Sequence, residues 1–397
     1  MNILVLNSGS SSLKYQLFDM QGETVMAKGL VEKIGLEGSE LTHSPAGKDK
    51  VNIVTDIPNH SVAIELVISE LLDPVHGVIR DMKEINAVGH RVVHGGQTFC
   101  KSCLIDTNVL AEIERLVELA PLHNPPTILA IRACEEKMHG VPMVAVFDTA
   151  FHQTMPAYTY LYGLPYHYYE KYQVRRYGFH GTSHRFVSAR CSELLGKKDA
   201  KIITCHLGNG SSIAAINNGK VLDTSMCFTP LQGILMGTRC GDIDPAIVTF
   251  LMAKEGLDPK AMDDVMNKES GLLGISGVSP DMRYIEEAAA KGNERAAVAL
   301  KVFEKTVVHY IGAYAAELNG VDAIVFTAGI GENAINARAN ICANLDYLGV
   351  DFDAEANNCR GQEVEITRPG SKTRIFAIPT NEELMIARDA QALVQGK

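Results

Sequence analysis

Lys201-Ile-Ile-Thr-Cys-His-Leu-Gly-Asn-Gly-Ser-Ser-Ile-Ala-Ala-Ile216 joins one apolar run to another through a Gly/Ser turn. That order predicts strand, turn and strand. The chain opens in the same way: Ile3-Leu-Val-Leu-Asn7 meets Ser8-Gly-Ser-Ser-Ser12, and Leu13, Tyr15 and Leu17 then alternate with Lys14 and Gln16. Ser11-Ser12-Leu13 is echoed by Ser211-Ser212-Ile213, 200 residues further on. A weaker echo pairs Ala87-Val-Gly-His-Arg-Val-Val-His-Gly-Gly96 with Ala323-Ile-Val-Phe-Thr-Ala-Gly-Ile-Gly331, each an apolar run ending in glycines. Two copies of one unit predict duplicated domains rather than a solenoid.

Helical periodicity lies between these strands, so each half mixes both element types and the class is α/β. It starts at Val62 and recurs at Leu110, Ile113, Leu116, Val117 and Ala120, where Asp106 or Thr107 can cap the helix and Pro121 ends it. Val141 to Phe147 reads as a buried strand ending at Asp148, and a long amphipathic helix runs from near Asn293 to Leu318. Residues 35–50 read as loop or edge hairpin. The length of 397 residues exceeds what one core usually fills. With 46% hydrophobic and 21% charged residues, disorder, collagen and coiled coil are excluded.

Lys and Arg total 37 against 47 Asp and Glu, a net charge of −10, so nucleic acid and anionic membrane are disfavoured as partners. An anionic substrate then needs a local cluster of Arg, backbone N–H groups or metal. Nine scattered cysteines suit a reducing cytosol better than a disulfide framework. No signal peptide or run of about 18 apolar residues is visible, and the chain reads as cytoplasmic.

Neither a P-loop nor a G-x-G-x-x-G opening a helix is present. Three separate turns instead place small residues directly after a strand: Asn7–Ser12, His206–Gly210 and Gly329–Asn333. Backbone N–H groups there can close on phosphate oxygens without a Cβ in the way. Singly each is only a turn; three together point to a nucleotide. His90-Arg91 beside His94, His180 between glycines, and Arg239 in Gly237-Thr-Arg-Cys-Gly-Asp242 offer positive charge in flexible settings. A lone His or Arg is more often structural. Asp148 and Glu382 are candidate Mg²⁺ or water holders. Thr380-Asn-Glu-Glu383 would serve equally as a helix cap.

Seven stretches together resemble the acetokinase family: Asn7–Tyr15, His90–Gly96, Tyr177–His184, His206–Gly210, Gly237–Pro245, Thr327–Asn333 and Thr380–Glu383. The resemblance runs in order from the first strand to the last helix. It implies two duplicated ribonuclease H-like domains of the actin-like ATPase kind, 1–149 with 384–397 and 150–383, with ATP in an interdomain cleft. The implied reaction is reversible transfer of the γ-phosphoryl group of ATP to acetate, giving acetyl phosphate and ADP, in a homodimer using Mg²⁺ or Mn²⁺. Carried over by position, Asn7 and Glu382 (rather than Glu383) hold the metal. Lys14 and the loop His206, Leu207, Gly208, Asn209 and Gly210 attend the phosphates. Asp281, Met282 and Arg283 with Gly329, Ile330, Gly331, Glu332 and Asn333 hold the adenosine. Arg91 and Arg239 grip carboxylate and phosphoryl group, His180 stabilises the transition state, and Asp148 is the acidic residue assigned to catalysis. Val93, Leu122, Phe179 and Pro230 form the acyl pocket.

Chemistry sharpens two of these roles. A carboxylic acid with a pKa near that of Glu, about 4.3, is ionised at neutral pH and needs no general base. Asp148 is therefore expected to orient a cation, water or Arg. Valine at position 93 narrows the space beyond a methyl group. One methylene carries only about 1–3 kcal/mol of discrimination, so propionate is expected to be a poorer substrate rather than an excluded one. The alternatives are a propionate- or butyrate-preferring kinase, and a nucleotide-driven clamp without an acyl acceptor.

Overall fold

The computed structural model describes residues 1–121 and 123–396. They fall into two compact units, Met1–Phe151 with Asn381–Lys397, and His152–Thr380. Each is built on one mixed sheet.

In the first unit the strands are β1 (Asn2–Ser8), β2 (Ser12–Asp19), β3 (Thr24–Glu32), β4 (Glu40–Pro45), β5 (Val51–Val54), β6 (Ile85–Val92), β7 (Cys103–Leu104) and β8 (Met143–Phe147). Their order is β5-β4-β3-β2-β1-β6-β8-β7. In the second unit β9 (Lys201–Leu207), β10 (Ser211–Asn217), β11 (Lys220–Thr224), β12 (Ala323–Thr327), β13 (Val364–Glu365) and β14 (Arg374–Ala377) are ordered β11-β10-β9-β12-β14-β13. The two sheets share a core. Three antiparallel strands, β3-β2-β1 or β11-β10-β9, continue into two parallel ones, β6-β8 or β12-β14. The opening hairpin and its echo are thus the first and second strands of each copy, and the weaker echo is the fourth.

The burial pattern follows from sheet position. Hairpin strand β2 alternates, with Leu13, Tyr15 and Leu17 buried and Lys14 exposed. Strand β8, between β6 and the short edge strand β7, is buried throughout, which needs an unbroken apolar run because helices cover both faces. The expected edge hairpin in 35–50 is realised as β4, with β5 completing the edge. The helix Thr107–Arg115 is capped by Asp106, whose carboxylate accepts from the Val109 N–H. The long helix Glu294–Glu317 is capped by Asn293 and packs Phe303, Val307, Ile311 and Tyr314 into the second core.

Parity in the strands decides which side chains face which layer. On β9, Ile203, Cys205 and Leu207 join that core, while Thr204 and His206 bond to the helix Gly181–Leu195. On β6, Val88 and Val92 pack with residues of the helix Asn124–Lys137, and Arg91 turns the other way, toward Asn7 and Asp148. Among the described residues no helix is long and apolar enough to cross a membrane.

Candidate active site

The first unit assembles one set of charged groups. Arg91, near the end of β6, donates from Nε to Asp148 Oδ1 and Oδ2 at 3.1 Å each, and from Nη1 to Asn7 Oδ1 at 3.2 Å. Its Nη2 also donates to Asp148 Oδ2. Asp148 sits directly after β8 and is 1% exposed, so the carboxylate is committed to the guanidinium. Burial works against the charge on Arg91, but Asp148, Glu382 and Glu383 outweigh it and hold the group firmly protonated. Burial, with Asp148 and Glu383 adding like charge, pushes the Glu382 carboxyl up to about 7 despite the pull of Arg91.

Two readings of Thr380–Glu383 prove compatible. The cap of the final helix, Glu382–Val394, is Asn381, whose side chain accepts from the Leu384 N–H at 3.0 Å. Glu382 is left at the first helical position, without a side-chain hydrogen bond among the described residues. Its neighbour Glu383 is engaged by the Lys14 ammonium, the partner this structure gives to Lys14. The Asn7 amide oxygen and the Glu382 carboxyl are oxygen donors of the kind a hard cation such as Mg²⁺ takes. A cation there would relieve the crowding that raises Glu382. The donors present therefore fit one.

His90 does not join this set. It lies on the core-facing parity of β6, is 1% exposed, and neither ring nitrogen has a hydrogen-bond partner among the described residues. Burial drops its pKa to about 3, against about 6.5 when unfolded. The unfolded chain takes up a proton that the folded chain refuses, so stability falls as pH drops from 6.5 towards 3. His90→Leu should abolish that part: between pH 7 and 4.5 the wild type loses about 2–3 kcal/mol more than the variant in urea unfolding. Equal losses would show that His90 is not held neutral.

The second unit brings a different group together. His180 precedes the helix Gly181–Leu195 with φ at +57°, a left-handed conformation that costs a non-glycine residue roughly 1–2 kcal/mol. Such strain gathers at functional sites. Its ring stacks on His206 at 4.0 Å, and His206 Nδ1 is 2.8 Å from Ser183 Oγ. A Cβ placed on Gly210 would lie 3.5 Å from Arg239 Nη1 and 3.6 Å from His180 Nε2. The glycine loop, the imidazole and the guanidinium therefore converge on one point. Arg239 donates to the Pro230 carbonyl at 3.0 Å and has no carboxylate partner among the described residues. Burial with nothing to offset it works against its charge. A guanidinium held this way is available to an anionic ligand.

Beside this point lies a cavity of about 710 Å³ lined by Gly208, Asn209, Asp281, Met282, Arg283, Gly329, Ile330 and Asn333, all singled out from the sequence. Asp281 caps the helix Met282–Ala290 and pairs with the Arg283 guanidinium, Nη2 to Oδ2 being 2.6 Å. Gly237 packs against Asn209, whose side chain would have to move for any larger residue, since a Cβ there would come within 2.0 Å of Asn209 Oδ1. Gly329–Asn333 does not form the open turn expected of it. The segment Ala328–Asn333 is a short helix entered through Ala328 at φ +63°, with Glu332 Oε1 accepting from the Ala328 and Thr380 N–H groups. Leu207 packs its side chain in the core, which leaves none of it for a ligand.

Four further lining residues, Pro280, Glu286, Ala334 and Arg360, escaped the sequence reading. Glu286 stands one helical turn after Arg283, a spacing that could have flagged it; Arg360 carries no local signal. Of the expected acyl-pocket residues, Val93 is buried in the first unit, while Phe179 (buried) and Pro230 (half-buried) belong to the second. Leu122 lies outside the described residues.

Comparison with known proteins agrees over the whole chain. The model of the acetokinase family matches residues 2–388. The chain is 60% identical to an acetate kinase of Halothermothrix orenii over 397 residues, covering 100% of both. The crystal structure of Porphyromonas gingivalis acetate kinase superposes with a TM-score of 0.96 at 48% identity, covering 99% of each chain. That of a propionate kinase from Francisella tularensis gives 0.93 at 42% identity, again over 99% of each. The chain belongs to the acetokinase family.

Proposed function

We propose that the chain is an acetate kinase: it transfers the γ-phosphoryl group of ATP reversibly to acetate, giving acetyl phosphate and ADP. The observation that carries this reading is the meeting of His180 and Arg239 at the Gly208–Gly210 loop, next to a cavity of nucleotide size. Phosphoryl transfer needs positioning and charge stabilisation more than covalent chemistry. Arg239 and His180 supply donors to the transferring group. The cavity takes the nucleoside, and Arg91, oriented by Asp148, binds the carboxylate. Acetate arrives ionised, so no side chain has to remove a proton. Asn7 and Glu382 would hold Mg²⁺ (or Mn²⁺), which when bound neutralises phosphate charge.

The domain division 1–149 with 384–397 and 150–383 belongs to the same reading, as does a cytosolic, homodimeric enzyme. Support for the dimer comes from the helix Pro245–Glu255, which buries none of its residues and leaves Ile247 and Phe250 42% and 58% exposed. Sedimentation velocity reads that state directly.

A second reading, a kinase preferring propionate, is favoured by the likeness to the Francisella protein. A hydroxamate trap for the acyl phosphate, run with acetate, propionate and butyrate, separates the two and also detects a clamp that forms no acyl phosphate. Acetate should be the best acceptor. Val93→Ala should narrow the acetate-to-propionate ratio by roughly 10-fold, about the worth of one methylene; an unchanged ratio removes Val93 from the acyl pocket.

A further inference from the structure

Behind His180 lies a line of buried polar groups to which the reaction assigns no part. His180 Nδ1 is 2.8 Å from Ser212 Oγ, Ser212 Oγ is 2.8 Å from His184 Nε2, and His184 Nδ1 is 2.7 Å from Thr204 Oγ1. Thr204, His184 and Ser212 are fully buried. All belong to elements already placed: Thr204 to β9, Ser212 to β10, and His184 to the first turn of the helix that His180 precedes.

We propose that Thr204, His184 and Ser212 are positioning residues that hold His180 as the tautomer protonated on Nε2, so that it meets the transferring phosphoryl group as a hydrogen-bond donor. The inference rests on the reading that His180 faces that group.

Counting hydrogens sets the direction. Burial, with His152 and His206 close by, keeps His184 neutral, so its ring has one N–H to give. Three bonds must be filled by three hydrogens, one each from Thr204, His184 and Ser212. Run towards His180, all three are used. The Thr204 hydroxyl donates to His184 Nδ1, His184 Nε2–H donates to Ser212 Oγ, and the Ser212 hydroxyl donates to His180 Nδ1. Run the other way, the Thr204 hydroxyl hydrogen has no acceptor, because His184 is the one partner of Thr204 Oγ1 among the described residues. A buried hydroxyl left unsatisfied bears its full desolvation cost, which disfavours that direction. In the favoured direction His180 Nδ1 is an acceptor, and neutral imidazole must then carry its proton on Nε2.

Nε2 is also the nitrogen near Gly210, 3.6 Å from where a Cβ would stand. The stacking on His206 and the left-handed backbone at His180 fix the ring plane, and the chain of bonds fixes the proton. No proton changes hands in the reaction. The bond between Pγ and the bridging oxygen of ATP breaks, the acetate oxygen–Pγ bond forms, and His180 keeps its hydrogen throughout. Its N–H strengthens a bond to an oxygen whose charge grows, which is stabilisation specific to the transition state.

The test combines ¹⁵N NMR of the full chain labelled at histidine, with His180 assigned from the signals missing in His180→Ala, and steady-state kinetics. The wild type should show His180 Nδ1 unprotonated and Nε2 protonated. Ser212→Ala should let the proton spread over both nitrogens and lower kcat about 10- to 100-fold, the usual effect of removing an orienting partner. KM for acetate and ATP should stay within about twofold, because ground-state binding is untouched. Ser212→Thr keeps the hydroxyl and should restore both readouts. His184→Gln, whose amide offers a donor and an acceptor, should hold the tautomer better than His184→Phe; if the Phe variant does not fold, the Ser212 pair decides. A His180 protonated on Nδ1 in the wild type, or a Ser212→Ala enzyme with unchanged tautomer and kcat, overturns the proposal. Full activity in His180→Ala would instead overturn the contact between His180 and the phosphoryl group, whatever tautomer the spectra report.

Discussion

Arg239→Ala should lower kcat/KM for acetate about 10³- to 10⁵-fold, the range spanned by arginines that stabilise a phosphoryl group in transfer. The expectation follows from how the residue is held. Its guanidinium is half-buried, donates to the Pro230 carbonyl, and has no carboxylate to neutralise it among the described residues. A group in that condition gains most when negative charge arrives beside it. Arg239→Lys should recover little, because an ammonium lacks the planar fork that meets two phosphoryl oxygens at once. The protein itself should fold normally in both variants, since no ion pair is broken, and thermal unfolding should show it. Activity within tenfold of wild type in Arg239→Ala would remove Arg239 from the reaction.

Asp148→Asn is expected to be nearly as damaging, by another route. The carboxylate receives three contacts from Arg91, at Nε and Nη2, and is almost wholly inaccessible. Removing its charge leaves Arg91, half-buried beside Asn7, with its direct partner neutralised. Losing one partner of a buried pair costs about 3–5 kcal/mol of stability, and calorimetry should register it. Misplacing the Arg91 fork by about 1 Å costs roughly 10²-fold in rate, so kcat/KM for acetate should fall at least that far. The solvent deuterium isotope effect on kcat should stay near unity in wild type and variant alike, because ionised acetate has no proton to give up. A large isotope effect in the wild type, lost in Asp148→Asn, would mean that Asp148 acts as a base.

Much of this was legible in the linear chain, and the reasons are physical. Alternation in Leu13–Phe18 and the Gly/Ser turns define hairpins through local geometry. Asp106 and Asn293 mark helix starts because a cap acts within three residues. The glycine loops and their flanking charged residues are contiguous motifs, and the cavity is lined by several of them. Other features depend on distance in sequence. His90 and Arg91 are adjacent, yet one enters the core and the other the site. Alternation dictates that they part, but only the sheet's neighbours decide which goes where. Glu286 and Arg360 reach the cavity from segments without motifs. Arg338, fully buried with Nη1 on the Gly331 carbonyl at 2.9 Å, has no acidic partner nearby in sequence to announce it.

The amino-acid sequence alone specified a duplicated α/β chain, its glycine turns and the residues that bear charge, because each of these depends on interactions within a few positions. Tertiary structure decided the pairings: Asp148 with Arg91, Lys14 with Glu383, and Ser212 with both His180 and His184. Those partners stand between 28 and 369 residues apart. Most are brought together by strand order and helix packing, which no local pattern encodes.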